Sequence, residues 1–401
     1  MSDSVFAGLR VIDCASFIAA PAAATVLGDF GADVVKIEPP GMGDAYRNLG
    51  ALPGLPDSDH DYAWMLTGRN KRSLALDLKT EEGRAVLHDL VRGADVFITN
   101  YPRGVRRRLG IAAEDLMPLN PRLIHAAFSA YGETGEEAEK SGFDSTAWWA
   151  RSGLMDLVRA DHAAPPARSA PGMGDHPSAM GLFGAIVTAL YRRERTGEGA
   201  IVHSSLLANG LWANGFHVQA QLCGATIHPR PPRHEMPNAV SNQYRTRDGR
   251  WLMLVMLNEE RQFRPFCAAL GQPGLADDPR FAAITDRRAN ARVLVGLLDA
   301  AFAERDLADW MPLLQRAGIT FGLVSTLDDI PRDRQARAIG ALVPFADHDM
   351  LTVMSPFHIE GEGKAAPRMA PALGAHSVEV LAEAGYDAAD IERLRGLGVV
   401  G

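Results

Sequence analysis

Residues 9–39 read LRVIDCASFIAAPAAATVLGDFGADVVKIEP, and this stretch decides the fold. Val11 to Cys14 is a short apolar, β-branched run, Pro21 to Phe30 is an Ala-rich helical run that Gly31 ends, and Asp33 to Glu38 is a second β-branched run. Strand, helix and strand in so short a span make one βαβ unit, whose two strands must lie parallel. The pattern continues outward. Ser73 to Leu78, Asp95 to Thr99 and Leu123 to Phe128 read as further strands. Thr80 N-caps a helix with Glu81 and Glu82 in its first turn, and Gly93 stops it after Arg92. Such alternation predicts an α/β fold with a parallel sheet.

Further along, Met180 to Arg195 is the most strongly helical stretch; Thr196-Gly197-Glu198-Gly199 breaks it, and a strand follows over Ala200 to His203. Between Cys223 and Asn238 the composition turns to Pro, Arg and His, the mark of a linker. The spans expected are a large domain over 1–222, a small domain over 223–330 with a strand at Trp251 to Leu257 and helices around Phe263 to Leu270 and Arg292 to Arg305, and a segment over 331–401 that returns to the large domain.

Of the 401 residues, 47% are hydrophobic and 22% charged, which is globular usage and excludes disorder and a coiled-coil rod. Lys and Arg total 41 against 49 Asp and Glu, a net charge of −8, so no nucleic-acid partner is expected. Only five of those cations are Lys. Arg69-Asn70-Lys71-Arg72, and Arg103 with Arg106 to Arg108, are therefore where phosphate recognition is sought, each beside a strand end. Cys14, Cys223 and Cys267 are too scattered for a zinc site or a disulfide framework, Asp3 and Asp13 weigh against a secretory leader, and no window is apolar enough for a membrane helix. The expected location is the cytoplasm, with no metal and no membrane partner. Walker, dinucleotide-binding and nucleophile-elbow patterns are absent.

Asp175 stands out because Gly172-Met173-Gly174-Asp175-His176-Pro177 precedes the long helix, which puts a carboxylate beside free helix-end amides. Those amides lower a carboxylate's pKa and stabilise an oxyanion formed where it attacks. An Asp before a helix is equally an ordinary N-cap, and both readings stand. His176 is either a proton donor or a helix-start residue.

Taken together, several ordered segments resemble the third family of CoA transferases, the CaiB/BaiF group that also holds α-methylacyl-CoA racemases. They are Leu9 to Asp13 with Pro21, Gly31 to Pro39 with Gly43-Asp44, Asn70 to Ser73 with Asp77 to Lys79, Asn100 to Gly104, Asn120 to Ile124, Gly174-Asp175, and Arg195 to Gly199. The resemblance spans nearly the whole chain. It implies an intertwined homodimer of chains, each with an open Rossmann-like large domain and a smaller α+β domain. It also implies a CoA transferase acting on an acyl-CoA and a carboxylic acid, with CoA as substrate and no tightly bound cofactor. Asp175 matches the family's nucleophile. Ile18 and Ala19 fall in the loop after the first strand, Leu76 and Lys79 beside the nucleotide, Asn100, Tyr101 and Arg108 on the adenosine and phosphate wall, and Lys140 and Phe143 along the pantetheine and thioester.

Three departures bear on substrate. Pro39 replaces an Arg of some members, so Arg72 or Arg103 is expected to supply that phosphate contact. Formyl-CoA transferases resemble this chain but carry a Gln at Ile18 and a glycine run near Asn258 to Glu260, so oxalate and formate are poor candidates. Racemases place a His directly before the residue at Asp144, where this chain has Phe143. A racemase or epimerase is the alternative so disfavoured, and a non-catalytic acyl-CoA-binding protein is the reading if Asp175 is only a cap. Arg47 is either a partner for a second carboxylate of a dicarboxylic acid or a surface Arg.

Overall fold

In the computed structural model, which describes residues 4–401, strands β1 (Arg10–Asp13), β2 (Asp33–Glu38), β3 (Lys71–Ala75), β4 (Val96–Thr99), β5 (Ile124–Ser129) and β6 (Ala200–Ser205) form one sheet in the order β3-β2-β1-β4-β5-β6. Asp3 lies outside the described residues. Every pairing in the sheet is parallel, with Arg10 opposite Asp33 and Val11 opposite Val96. Parallel strands need covering on both faces, and β4 shows it: Val96, Phe97, Ile98 and Thr99 are all fully buried. The first helix, Ala19–Asp29, is buried along its whole length, which its Ala-rich sequence permits because small side chains let it lie close to its neighbours. The helix Glu81–Arg92 has its Thr80 cap bonded to Gly83 N–H and its stop at Gly93, where the sequence signals put them. β3 is shorter than expected: Leu76 leaves the strand to bridge Val400, so the expected strand end is covered by the chain's own last residues.

Two compact units divide the chain. One comprises residues 1–155, 168–223 and 334–401, and the other residues 156–167 and 224–333. In the first, the helix Ser377–Glu383 packs at β3, where Ala75 N–H donates to Ser377 Oγ and Gly401 N–H donates to the Ala75 carbonyl. The second unit holds the antiparallel sheet β7 (Gln243–Arg245), β8 (Trp251–Leu254) and β9 (Phe321–Leu323) and its own core, in which Tyr244, Phe266, Phe302 and Trp310 are fully buried. No helix of the described residues is long and apolar enough to cross a membrane.

Candidate active site

With β2 and β4 flanking β1, the sheet order reverses at β1, and the loops after β1 and β4 lie at the switch point whose crevice, outside the carboxyl ends of the strands, is where open α/β sheets take ligands. Asn100, just past β4, clamps the opposite loop: its Nδ2 donates to the Ser16 carbonyl (2.6 Å) and its Oδ1 accepts from Ser16 N–H (2.9 Å). Asp44, beyond β2, accepts from Ser16 Oγ (2.7 Å), Phe17 N–H (3.2 Å) and Tyr46 N–H (2.9 Å). Burial opposes its charge, but the Lys36 ammonium 2.9 Å away and these donors hold its carboxyl below the ordinary range. Such over-determination keeps Phe17 at φ +63°, a left-handed conformation that strains a residue with a Cβ. Asp13, Lys36 and Lys71 complete the buried charge set beneath the crevice.

Asp175 is the first residue of the helix Asp175–Thr196. Gly174 occupies the N-cap position, and a Cβ there would stand 2.6 Å from the Trp148 ring, so only glycine fits. Gly174 N–H donates to Asp144 Oδ2 at 3.3 Å. Asp144 opens a π-helical turn over 144–150 that carries Trp148 and Trp149 inward, a rare geometry found often at functional sites.

Two expectations for Asp175 are corrected here. It is not the N-cap, and its carboxylate forms no hydrogen bond among the described residues. Nor is its pKa lowered: burial and, behind it, the Asp144 charge push it up to about 7. Burial beside a second carboxylate outweighs the terminal amides. His176 is lowered, first by burial and then by Arg69, so it is a neutral imidazole at physiological pH.

Of the other expected residues, Ile18 and Ala19 open the first helix after β1, and Asn100 and Tyr101 follow β4, with Asn100 bonded across to Ser16. Ile18 Cδ1 stands 3.6 Å from where a Cβ on Gly172 would be, which joins this loop to the Asp175 turn. Tyr101 is partly buried against the main core. Leu76 is 1% exposed within that core, so its side chain offers no surface to a nucleotide. Lys79 and Arg108 are exposed and form no salt bridge among the described residues; Arg84, which donates to the Lys79 carbonyl, also lies against Gly110 at the end of the Arg108 helix. Lys140 is exposed, pairs with Glu137 (2.5 Å) and lies over the Tyr131 ring. Phe143 is 61% exposed and meets Phe17 edge to face.

The Arg69 to Arg72 cluster is not a phosphate surface. Arg69 forks onto buried Asp29, Lys71 bonds buried Asp13, and Arg72 forks onto Asp33 and reaches Glu379 and Glu383, so its cations hold strands and the returning C-terminal helix together. Arg72 therefore does not stand in for the Arg that some family members carry at the position of Pro39, and Arg103 lies within 4.0 Å of Glu133 and 3.9 Å of Glu139. Arg47 is corrected too: it forks onto buried Glu38 at 2.6 and 2.8 Å and stacks on Trp64, which leaves no free guanidinium for a dicarboxylate. Sequence reasoning did not find Asp144, Trp148 or Tyr46 near Asp175, because the 144–150 turn and the segment of Tyr46 both lie far from it in the chain. The one signal was Gly174, whose lack of a side chain marks a close approach. Among the described residues no group of three or more His, Cys, Asp and Glu side chains is placed to hold a metal ion.

Comparison with known proteins identifies the family. Residues 6–377 match the family model described as CoA-transferase family III. The (R)-2-hydroxy-4-methylpentanoate CoA-transferase of Clostridioides difficile is 32% identical over 398 residues, 98% of each chain. The cinnamoyl-CoA:phenyllactate CoA-transferase of Clostridium sporogenes is 30% identical over 98% of this chain and 96% of its own. Among solved structures, a CaiB/BaiF family protein from Brucella suis superimposes with a TM-score of 0.85 at 27% identity, covering 96% of this chain and 100% of that one.

Proposed function

The chain belongs to CoA-transferase family III and is a CoA transferase, and we propose that it moves CoA from an acyl-CoA to a free carboxylic acid with Asp175 as the nucleophile. The observation that carries this reading is the Asp175 carboxyl at the first turn of a long helix, with no hydrogen bond among the described residues and not serving as a cap. A pKa of about 7 leaves much of it ionised at neutral pH and makes it more basic than an ordinary carboxylate, which favours attack. The carboxylate adds to the thioester carbonyl and the C–S bond breaks, giving a mixed anhydride and CoA thiolate. The thiolate then attacks the aspartyl carbonyl, releasing the first acid and leaving an aspartyl-CoA thioester. The second acid attacks that thioester, and the thiolate returns to the new acyl carbon, so the product thioester leaves and the Asp175 carboxylate is restored. No net hydrolysis occurs if water stays out.

Lys79 and Arg108 are read as phosphate contacts, with Ile18, Ala19, Asn100 and Tyr101 lining the path from nucleotide to thioester and Lys140 and Phe143 at its outer side. Their exposure or their place at the crevice supports this reading. Phe143 offers no proton where a racemase would place a His, which speaks against α-carbon chemistry. A second copy of the chain is expected over the exposed apolar side chains of Trp212, Phe216 and Leu222, which are 87%, 83% and 75% exposed. The cytoplasm remains the expected location. Because the two relatives above are named for 2-hydroxy acids, such acids are the first to offer as acceptors. The test is incubation with an acyl-CoA and a panel of acids, with mass spectrometry of the thioesters. New thioesters are expected from the wild type and none from Asp175→Ala, which still binds CoA; transfer by that variant at the wild-type rate overturns the reading.

A further inference from the structure

The loop after β1 holds Phe17 at φ +63° by three hydrogen bonds: Phe17 N–H and Ser16 Oγ donate to Asp44, and Ser16 N–H donates to Asn100. A phenylalanine in this region is strained, and residues so strained cluster where the conformation serves a site. Core packing does not account for it, since Phe17 is 38% exposed. Its ring meets that of Phe143 edge to face, with centroids 6.1 Å apart, and Phe143 is itself 61% exposed. Met173, 48% exposed, is a third large apolar side chain, and it lies within the Gly172 to Asp175 turn. Both rings are tied to that turn through a neighbour. Phe143 precedes Asp144, whose Oδ2 accepts the Gly174 N–H at 3.3 Å, and Phe143 N–H donates to Thr146 Oγ1 at 2.9 Å. Phe17 precedes Ile18, whose Cδ1 stands 3.6 Å from where a Cβ on Gly172 would be. Two segments distant in sequence thus meet the turn through these neighbours and meet each other through the rings. Apolar side chains left exposed together, rather than scattered singly, mark a surface that an apolar group covers. The group that comes to this turn is the acyl group carried to Asp175, and its carbon chain supplies the cover.

We propose that Phe17 and Phe143 are specificity-determining residues whose rings grip the carbon chain of the acid exchanged at Asp175. The substrate class is then carboxylic acids with branched or aromatic chains. Acetate, which brings almost no apolar surface, and short diacids, which bring a second charge against the rings, are disfavoured. This inference rests on the reading of Asp175 as nucleophile.

The test measures kcat/KM for 4-methylpentanoate and for acetate as acceptors from butanoyl-CoA, in wild type, Phe143→Ala and Phe17→Gly, the last of which suits φ +63° without strain. Wild type is expected to favour 4-methylpentanoate, and each variant should cut the ratio of the two values about tenfold, since even one methylene in an apolar site is worth about that much. An unchanged ratio in either variant overturns the proposal, and so does an equal slowing of both acids. A raised KM for butanoyl-CoA with the ratio unchanged assigns the rings to the pantetheine arm instead, and a changed oligomeric state with the ratio unchanged assigns them to a second copy of the chain; both overturn it. If neither variant folds, competition on the wild type decides: from an equimolar mixture of the two acids, acetyl-CoA formed in equal or greater amount overturns the proposal. Hydroxylamine trapping on the same samples separates the two readings, because absence of label at Asp175 counts against the nucleophile and leaves the ratio of the two acids to be judged alone.

Discussion

Replacing Asp175 by Asn should abolish transfer and yet make the protein more stable above neutral pH. The folded carboxyl titrates at about 7 against 3.8 for a free one. The folded state therefore holds the proton more tightly, and between those values its stability declines as pH rises; the whole penalty is present above about 7. Three units at about 1.36 kcal/mol each give about 4 kcal/mol as an upper bound, and the partial exposure of Asp175 reduces it to about 2. Asn keeps the shape but never ionises, so it escapes the penalty. It gives up a negative charge at a helix N-terminus, a cost of about 0.3–1 kcal/mol, smaller than the gain. Urea titrations followed by tryptophan fluorescence at about pH 4 and about pH 8 check this. The variant should gain about 1–2 kcal/mol at the higher pH and nothing at the lower. Equal stability at about pH 8, or the same gain at both, refutes the account of a carboxyl raised by burial and Asp144.

Gly174→Ala should lower the unfolding temperature and reduce kcat together, since its Cβ would meet the Trp148 ring at 2.6 Å; overpacking of this kind costs about 1–3 kcal/mol. A thermal melt and a rate assay on one preparation check both. Lys79→Ala and Arg108→Ala should each weaken acyl-CoA binding by about 1–3 kcal/mol, mainly in KM, and leave what binding remains less sensitive to salt. Calorimetry at two salt concentrations measures it, and unchanged affinity in both variants removes them from the nucleotide site.

What the sequence made legible was local. Thr80, Glu81 and Glu82 announce a helix start and Gly93 its stop, and the helix occupies that interval. Asp33 to Glu38 forms a strand over the whole run because its β-branched residues lie between a glycine and a proline. What stayed hidden depends on partners brought in by the fold. Arg69, Lys71 and Arg72 look like free cations until Asp29, Asp13 and Asp33 arrive from positions 40, 58 and 39 residues away. The helix terminus at Asp175 was visible and argued for a low pKa, whereas the burial and the Asp144 charge that reverse the sign come from a turn about thirty residues earlier. Arg47 misled for the same reason, since the carboxylate it serves, Glu38, sits on the preceding strand. Leu76 ended as core because the last residues of the chain cover the strand end.

The central claim is that Asp175 becomes acylated. Incubating the enzyme with an acyl-CoA and hydroxylamine, digesting it and sequencing the peptides by mass spectrometry tests that directly, since hydroxylamine converts an aspartyl anhydride or thioester into a stable hydroxamate. The account predicts a hydroxamate at Asp175 that appears only when acyl-CoA is present. An unmodified Asp175 in enzyme that is transferring CoA, or a hydroxamate at another carboxylate such as Asp144, would contradict it.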